Sequence, residues 1–429
     1  MLREANGSLL ARNTLWMLGG QGVRIVLQGV YFLLIARSLG VAAYGAFIGA
    51  VSLVALVAPF ASWGTGFILV KEVARDRSTF PRYWGGALCV VAISGCVLLG
   101  SVLLISHSVW GDSVPFRVLL LVGISDVIVV RVIDLTNQAF MAVEVLRKSA
   151  ELYVVLSVAR TIAAVCLSAT AHSATASSWA LLYLASAIVA ALYGLVSISR
   201  SLGLPSLSLP FSRHDYSEGF YFAVSQSSQT IYNDIDKTML VRFGGLEATG
   251  IYGAAYRIAD VAFVPVAALS SATLARFFRH GRNGVAGTVR FTKKLLPYAA
   301  GYGLVAVALL FVGSSVVPEL LGKDFARSAI ALRWLSPLVF FKSIHYLLAN
   351  SLSGSGHQSL RASIQVGIVL LNVLLNLWLI PAYSWRGAAW SSLASDGALV
   401  VCLLAGVCAL SGKTTLPNDD RMVEEKVAS

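Results

Sequence analysis

The chain has 429 residues, of which 57% are hydrophobic and only 13% carry a charged side chain. Soluble domains carry about 25% charged residues, so this composition excludes a soluble protein and is typical of one that crosses a membrane many times. The formal net charge of +12 would suggest nucleic-acid binding in a soluble protein, but the cytoplasmic loops of membrane proteins also collect Lys and Arg.

Twelve apolar stretches are long enough to cross a bilayer, which takes about 20 mostly apolar residues. The predicted spans are 13–36, 42–64, 84–106, 115–138, 151–171, 178–198, 217–242, 248–275, 295–317, 328–352, 361–381 and 387–411. The fourth and the seventh are the least apolar. The first continues past residue 30 without a signal-peptide cleavage site, so we expect it to remain as a spanning helix.

The distribution of basic residues between the loops predicts the orientation. With both termini in the cytoplasm, 20 Lys and Arg residues fall on the inside and 6 on the outside. The excess of positive charge on the inside favours this topology over its inverse and explains most of the net charge without a nucleic-acid partner. The loops are too short for an extracellular enzyme domain. All five cysteines lie in apolar stretches without a CxxC spacing, so we expect neither a disulfide framework nor a metal site.

Two similar segments indicate an internal repeat. ARSLGVAAYGAF (36–47) and VRFGGLEATGIYGAA (241–255) each place an Arg at a helix end, then a glycine turn, then Tyr-Gly at the start of the next helix. Two repeats around a central site are a common transporter architecture. We therefore predict an all-α membrane fold with a first lobe of six helices over 1–199, a cytoplasmic linker over 200–215, a second six-helix lobe over 216–412 and a cytoplasmic tail over 413–429.

Seven basic side chains lie inside the predicted spans, where a charge near the bilayer centre costs roughly 2.5–3.5 kcal/mol on insertion scales. They are Arg24, Arg131, Arg160, Lys237, Arg257, Arg333 and Lys342. Six acids share the spans: Asp126, Asp134, Asp234, Asp236, Asp260 and Asp396. A spacing of three residues would pair Arg131 with Asp134, Asp234 with Lys237, and Arg257 with Asp260 on one helix face. These groups either neutralise one another within a packed bundle or line a wet cavity.

Arg24 has no acid three or four residues away on its own helix, and the same holds for Arg160, Arg333 and Lys342. Gln21 and Gln28 lie on the same helix face as Arg24, which predicts a polar stripe directed at one partner. That partner is either an anionic ligand or an acid on another helix. Arginine suits a phosphate ligand because its planar guanidinium stays charged and can bind phosphate oxygens bidentately.

Three segments resemble a known family. NLWLIPAYSWRGAAWSSLASD (376–396), NDIDKTML with GIYGAAYRIADV (233–261), and the opening NTLWMLGGQGVRIVLQGVYFLLIARSLGVAAYGAF (13–47) are similar to the Wzx-type polysaccharide-biosynthesis flippases. These belong to the multidrug/oligosaccharidyl-lipid/polysaccharide (MOP) exporter superfamily. The resemblance implies two six-helix lobes around a central cavity with alternating access. It also implies an oligosaccharide on undecaprenyl pyrophosphate as substrate. Arg24 matches an arginine of the related lipid II flippases, but twelve rather than fourteen helices favour an O-antigen or exopolysaccharide unit over the peptidoglycan precursor.

We therefore predict a transporter of the bacterial inner membrane, without catalytic residues, that moves the lipid-linked oligosaccharide to the periplasmic leaflet. The expected partners are this substrate, membrane lipids and the polysaccharide polymerase and chain-length machinery. The predicted substrate-binding residues are Arg24, Gln21, Gln28, Arg257, Gln229 and Lys342. Asp234, Asp236 and Asp260 would couple transport to H⁺ or Na⁺, with no other cofactor.

Two alternatives remain open at this stage. A multidrug or cation antiporter of the same superfamily would favour an acid-dominated cavity, whereas basic residues slightly outnumber acids here. A membrane-embedded polysaccharide polymerase or ligase would need a sizeable outer loop, which this sequence lacks.

Overall fold

The computed structural model describes residues 2–169, 174–206 and 210–413, which are helical with no strand among them. The predicted linker is therefore described except for 207–209, and the predicted tail beyond residue 413 lies outside the described residues. The α-helices are α1 Leu2–Ala61, α2 Thr65–Arg75, α3 Phe80–Trp110, α4 Phe116–Gly123, α5 Val130–Ala142, α6 Leu146–Ala169, α7 Ala176–Leu202, α8 Arg213–Phe243, α9 Gly245–His280, α10 Gly284–Gly313, α11 Val317–Leu321, α12 Ala326–Leu335, α13 Pro337–Gly354, α14 Gln358–Tyr383 and α15 Trp385–Lys413.

In the described part of the chain, eight helical stretches are long and apolar enough to cross a membrane. They are Gly19–Ala61, Arg77–Trp110, Leu146–Ala169, Ala176–Leu202, Gly245–Leu274, Gly284–Leu321, Gln358–Tyr383 and Trp385–Ser411. The first covers two predicted spans. The fourth, seventh and tenth predicted spans also fall on helices, which are shorter or more polar. The chain is thus a multi-pass membrane protein, and the total of twelve spans stays a prediction.

The described residues divide into two compact units. The first comprises the chain up to Ala254 together with Val316–Ala329 and Asn376–Ala388, and the second comprises the other described residues from Ala255 onward. These units do not follow the lobe boundaries expected from the sequence, which stay a prediction. In the first unit α1 packs along α6 and α8, and α6 packs against α7; in the second, α10 packs against α13.

The glycine turns expected from the internal repeat are present in both copies. Gly40 has a φ of 72° and breaks the helical path of α1, and Gly245 has a φ of 83° where α9 begins. Both values lie in the left-handed region, which glycine adopts without the steric cost that a Cβ would bring. The two repeated segments therefore turn the chain by the same means.

The two copies of the repeat also pack against each other within the first unit. A Cβ on Gly45 would overlap the carbonyl oxygen of Leu246, and a Cβ on Gly250 would overlap that of Val41. The helices at this crossing approach closely because neither carries a side chain at the contact, as at many helix interfaces in membranes. Tyr44 and Tyr252, the equivalent tyrosines of the two copies, are both fully buried.

A second close contact joins the end of α1 and α2 to the first half of α8. Gly64 and Gly219 meet backbone to backbone, and Lys71 forms a salt bridge of 2.7 Å with Glu218. The hydrogen bond to Glu218 raises the pKa of Lys71. These contacts hold the first half of α8 against the end of α1 and against α2, so the polar residues of α8 lie beside these two helices.

Candidate functional site

A polar cavity of about 480 Å³ lies inside the first unit. Binding sites for drug-sized molecules are typically about 300–1,000 Å³, so this cavity can hold a small polar group. The second half of α1, the α4–α5 region, α6, α7 and α8 form its walls. Its polar lining residues are Ser62, Asp126, Arg131, Asp134, Asn137, Gln138, Tyr153, Arg160, Tyr183, Gln226 and Thr230.

The first charged group in the cavity joins α5 and α6. Arg131 and Asp134, three residues apart on α5, form a salt bridge of 3.0 Å, which confirms the pair predicted from their spacing. The hydroxyl of Tyr153 on α6 donates a hydrogen bond of 2.8 Å to Asp134. The guanidinium of Arg24 lies over the ring of this tyrosine, 4.8 Å from the ring centroid.

The second charged group is built around a distortion of the helix. A π-helical segment, Ile124–Val129, separates α4 from α5 and carries Asp126. Such segments insert one residue into a helical turn and occur often at functional sites. Asp126 accepts hydrogen bonds from Ser125 at 2.9 Å and from Tyr183 of α7 at 3.2 Å. The guanidinium of Arg160 lies over the ring of Tyr183, 4.2 Å from its centroid.

The cavity lining therefore holds two arginines and two aspartates, together with amide and hydroxyl groups. Its formal charge balances when all four are ionised. The tyrosine rings add flat apolar surfaces beside the charged groups. Such a lining can donate to and accept from a ligand rich in hydroxyl groups, and it is not dominated by acids.

None of the predicted substrate-binding residues of the first unit belongs to the cavity lining. Arg24 and Gln28 are half-buried on α1, and Gln21 is exposed. Arg24 contacts Tyr153, which is one of the lining residues. Gln229 is exposed on α8, and the lining residues of that helix include Gln226 three positions earlier.

Two of the predicted coupling aspartates belong to a charged cluster on α8, in which Asp236 and Lys237 are buried and Asp234 is half-buried. Lys237 donates a hydrogen bond of 2.8 Å to Asp234, so the spacing-based prediction of this pair is also confirmed. Asp236 is buried, lies 3.9 Å from the Lys237 ammonium and accepts a hydrogen bond from the hydroxyl of Tyr252.

The remaining predicted site residues lie in the second unit. Lys342 on α13 is buried and its ammonium lies 3.5 Å from Asp260 of α9. The hydroxyl of Tyr256 lies 3.1 Å from the same ammonium. Lys342 thus takes its acid from another helix, which the sequence did not reveal. Arg257 is half-buried on α9.

Sequence reasoning missed the tyrosines of the cavity. Tyr153 and Tyr183 lie in apolar spans and were not considered as site residues, although each hydroxyl must find a hydrogen-bond partner when it is buried. That requirement is a usable indication that polar groups lie nearby. Within the described ranges, no three His, Cys, Asp or Glu side chains come together as a metal site.

The many apolar helices define the class of protein as a multi-pass membrane protein, and its fold is that of the MOP-superfamily transporters. The profile of the family described as "Polysaccharide biosynthesis protein" matches residues 10–279. The chain belongs to this family.

Two curated proteins from archaea are similar in sequence. An uncharacterized membrane protein, MJ1375 of Methanocaldococcus jannaschii, is 26% identical over 195 residues, which cover 44% of this chain and 43% of the relative. The probable low-salt glycan biosynthesis flippase Agl15 of Haloferax volcanii is 25% identical over 219 residues, which cover 49% of this chain and 45% of the relative. The matched region thus spans less than half the length of each relative.

Solved transporters share the fold. An inward-facing multidrug resistance MATE-family transporter of the MOP superfamily superposes with a TM-score of 0.73 at 16% identity, covering 92% of this chain and 99% of the transporter. The lipid II flippase MurJ in an inward closed conformation superposes with a TM-score of 0.72 at 11% identity, covering 92% of this chain and 87% of MurJ.

Proposed function

We propose that the protein flips an oligosaccharide linked to undecaprenyl pyrophosphate from the cytoplasmic to the periplasmic leaflet, for O-antigen or exopolysaccharide synthesis. The observation that carries this proposal is the charge-balanced polar cavity in the first unit of a member of the polysaccharide biosynthesis family. The similarity to a probable glycan biosynthesis flippase supports it.

The chemistry of the cavity suits a sugar better than an organic cation. Sugar hydroxyls both donate and accept hydrogen bonds, and the lining offers carboxylates, guanidinium groups, amides and tyrosine hydroxyls. An antiporter of organic cations would favour an excess of acids, but Asp126 and Asp134 are matched in number by Arg131 and Arg160. Transport of this kind involves no covalent step, so we propose no enzymatic activity.

Ion coupling belongs to the proposal as well. Asp234 and Asp260 each lie beside a lysine ammonium, and a proton or Na⁺ that displaced the lysine would change the charge of the cluster. Asp236 lies in the same cluster as Asp234. We propose that these aspartates are where H⁺ or Na⁺ would act.

The proposed setting is the inner membrane of a bacterium, with both termini in the cytoplasm. The substrate would be taken from the cytoplasmic leaflet after its assembly there and delivered to the polymerase and chain-length machinery on the other side. Membrane lipids surround the protein throughout.

A reconstituted transport assay tests the proposal. Purified protein in liposomes receives a fluorescent undecaprenyl-pyrophosphate glycan, and a membrane-impermeant quencher reports its movement between leaflets. We expect wild type to accelerate this movement. Arg24 is one of the predicted substrate-binding residues, so Arg24→Ala should slow this movement by about tenfold. The reason is that loss of one charge-assisted contact with the substrate, of about 1.4 kcal/mol, changes a binding constant by that factor.

Arg117→Ala is the matched control, because this arginine is exposed at the start of α4 and is not part of the cavity lining. It should transport like wild type. Efflux of organic cations by wild type without any glycan movement would overturn the proposal in favour of an antiporter. Full transport by Arg24→Ala would remove this residue from the mechanism.

A further inference from the structure

The segment that joins α9 to α10 in the second unit carries a dense group of basic side chains. It lies between the predicted spans 248–275 and 295–317, and it contains no acidic residue. Its six exposed cations form a surface that we call the basic face: Arg276, Arg279, Arg282, Arg290, Lys293 and Lys294. Six like charges this close together repel one another, so the basic face favours a partner of opposite charge.

The second unit supplies no such partner to the basic face. Its described residues include two acids, Asp260 and Asp396. Asp260 lies 3.5 Å from Lys342 and Asp396 lies 3.1 Å from His345, so both are already engaged. In the part of the chain that the structure describes, no carboxylate oxygen lies within 4.0 Å of a side-chain nitrogen of the basic face.

Basic residues of the first unit that are predicted to face the cytoplasm are neutralised differently. Lys71 pairs with Glu218 at 2.7 Å, and Arg147 pairs with Glu151 at 2.7 Å. The orientation of a membrane protein depends on its Lys and Arg residues, and Asp and Glu contribute little to it. Orientation alone therefore does not account for a run of six cations without acids, which indicates a separate requirement.

Aromatic packing fixes the two halves of the basic face on one surface. Phe277 of α9 packs edge-on against Phe291 of α10, with 4.9 Å between ring centroids. The ring of His280 stacks on Phe291 at 4.5 Å. Phe277 is fully buried and belongs to a core cluster with Leu347 of α13. The cations at the end of α9 and at the start of α10 are therefore held by a packed core and not by a loose loop.

The depth of the basic face along α9 matches the headgroup region of a bilayer. The apolar stretch of α9 ends at Leu274, and the helix continues by six residues to His280. This extension is about 9 Å long, close to the roughly 5–7 Å of headgroup region on each side of the hydrocarbon core. Tyr298, one turn beyond Lys294, is 78% exposed, and tyrosine is enriched at the membrane–water interface.

We propose that the basic face binds the phosphate groups of anionic phospholipids at the cytoplasmic surface of the membrane. Clusters of about four to eight Lys and Arg residues beside a spanning helix are typical of such sites. Four of the six cations are arginines, whose planar guanidinium can bind two phosphate oxygens at once. The inference goes beyond the proposed transport and does not depend on it, because these lipids surround the protein and are not its cargo.

Lipid retention measures this binding without a transport assay. The full chain is purified with equal amounts of phosphatidylglycerol and phosphatidylcholine, and native mass spectrometry gives the ratio of the two lipids that stay bound. The test variant combines Arg279→Gln, Arg282→Gln and Arg290→Gln.

The matched control combines Arg75→Gln, Arg147→Gln and Arg213→Gln. It removes the same number of exposed arginines from segments of the first unit that are predicted to lie on the same side of the membrane. Both variants therefore have the same net charge, and they differ in which unit has lost it.

We expect wild type and the control to retain phosphatidylglycerol preferentially. The test variant should lose this preference by at least about tenfold, since each Lys or Arg near an anionic surface contributes roughly a fivefold change. Higher ionic strength should weaken the preference of wild type. Equal losses in the test and control variants overturn the inference, because net charge alone then explains the preference. A wild type that holds both lipids equally also overturns it.

The acidic segment 414–429 is the alternative occupant of the basic face. It lies outside the described residues and carries Asp419, Asp420, Glu424 and Glu425. Replacing these four acids by their amides separates the two occupants. An unchanged preference for phosphatidylglycerol supports the inference. A preference that appears only in this amide variant shows that the segment covers the basic face, which overturns lipid as its occupant.

Misfolding is controlled in the same preparations. The test variant changes exposed positions only, so its thermal unfolding midpoint in phosphatidylcholine nanodiscs should match that of wild type. A second variant combines Arg279→Lys, Arg282→Lys and Arg290→Lys, which keeps the charge but loses the planar fork. It should retain most of the lipid preference. A loss as large as that of the glutamine variant would overturn the electrostatic attraction.

Discussion

Charged side chains within the spans differ in how they are neutralised. Lys237 is buried and hydrogen-bonded to Asp234 on its own helix, whereas Lys342 reaches Asp260 on another helix. Arg24 and Arg160 lie over tyrosine rings, and Asp126 accepts a hydrogen bond from the tyrosine beneath Arg160. Removing one partner of a buried ion pair destabilises the folded state, because it leaves the other charge unpaired.

The buried pair on α8 gives a prediction of stability. Asp234→Asn removes the charge opposite Lys237, whose side chain is only 8% exposed. We expect the free energy of unfolding to fall by about 2 kcal/mol. This is less than the cost of removing one partner of a fully buried ion pair, because Asp234 is partly exposed. Thermal unfolding of the protein in nanodiscs measures the change.

The double variant Asp234→Leu with Lys237→Met should not recover this loss, because it leaves the buried Asp236 without the ammonium that lies 3.9 Å away. The exposed pair of Arg327 and Glu247 is the control, with side chains 66% and 58% exposed. Glu247→Gln should change stability by no more than about 1 kcal/mol. Equal losses for Asp234→Asn and Glu247→Gln would contradict the assignment of a buried pair.

At the scale of the elements, glycines decide how closely helices pack. The two copies of the repeat meet where Gly45 lies against the backbone of Leu246 and Gly250. The repeat was recognised from the sequence by its turn glycines and Tyr-Gly pairs, but its mutual packing was not. A local pattern shows which residues can turn or approach closely, while the partner of a close approach is set by the rest of the fold.

This contact predicts opposite effects for two substitutions on α1. A Cβ added at Gly45 would overlap the Leu246 carbonyl oxygen, whereas nothing lies within 4 Å of one added at Gly29. Gly45→Ala should lower the thermal unfolding midpoint, because one helix must move away. Gly29→Ala should leave it unchanged or raise it, since alanine in a helix is favoured over glycine by roughly 0.5–1 kcal/mol.

The liposome assay gives a second control for the Gly29→Ala variant. Gly29→Ala should transport like wild type, which makes it the control for introducing a methyl group into α1. A Gly45→Ala protein as stable as wild type would show that the helices at this crossing tolerate a wider spacing than the structure shows.

For the whole molecule, the distribution of basic residues predicts which loops face the cytoplasm. Ser78 follows α2 and Asp112 follows α3, and both are exposed. In a variant without the five native cysteines, Ser78→Cys should be inaccessible to an impermeant maleimide added to intact cells. Asp112→Cys should be labelled, because the loop after α3 is predicted to be outside.

Permeabilised cells provide the control, since both cysteines should then react. Labelling of Ser78→Cys in intact cells would invert the topology and with it the direction proposed for transport. Labelling of neither position in permeabilised cells would show that the loops are shielded rather than oriented as predicted.

The helical membrane class, the family and two of the three predicted ion pairs within one helix followed from the sequence. These depend on local quantities: long apolar stretches, short motifs, and a spacing of three residues that places Asp134 beside Arg131 and Asp234 beside Lys237. Which groups meet between helices follows only from the tertiary structure. It placed Asp260 beside Lys342, Arg24 over Tyr153 and Arg160 over Tyr183 in the wall of a cavity. Such contacts depend on which faces of distant helices pack together, and neither hydropathy nor spacing along one helix contains that information.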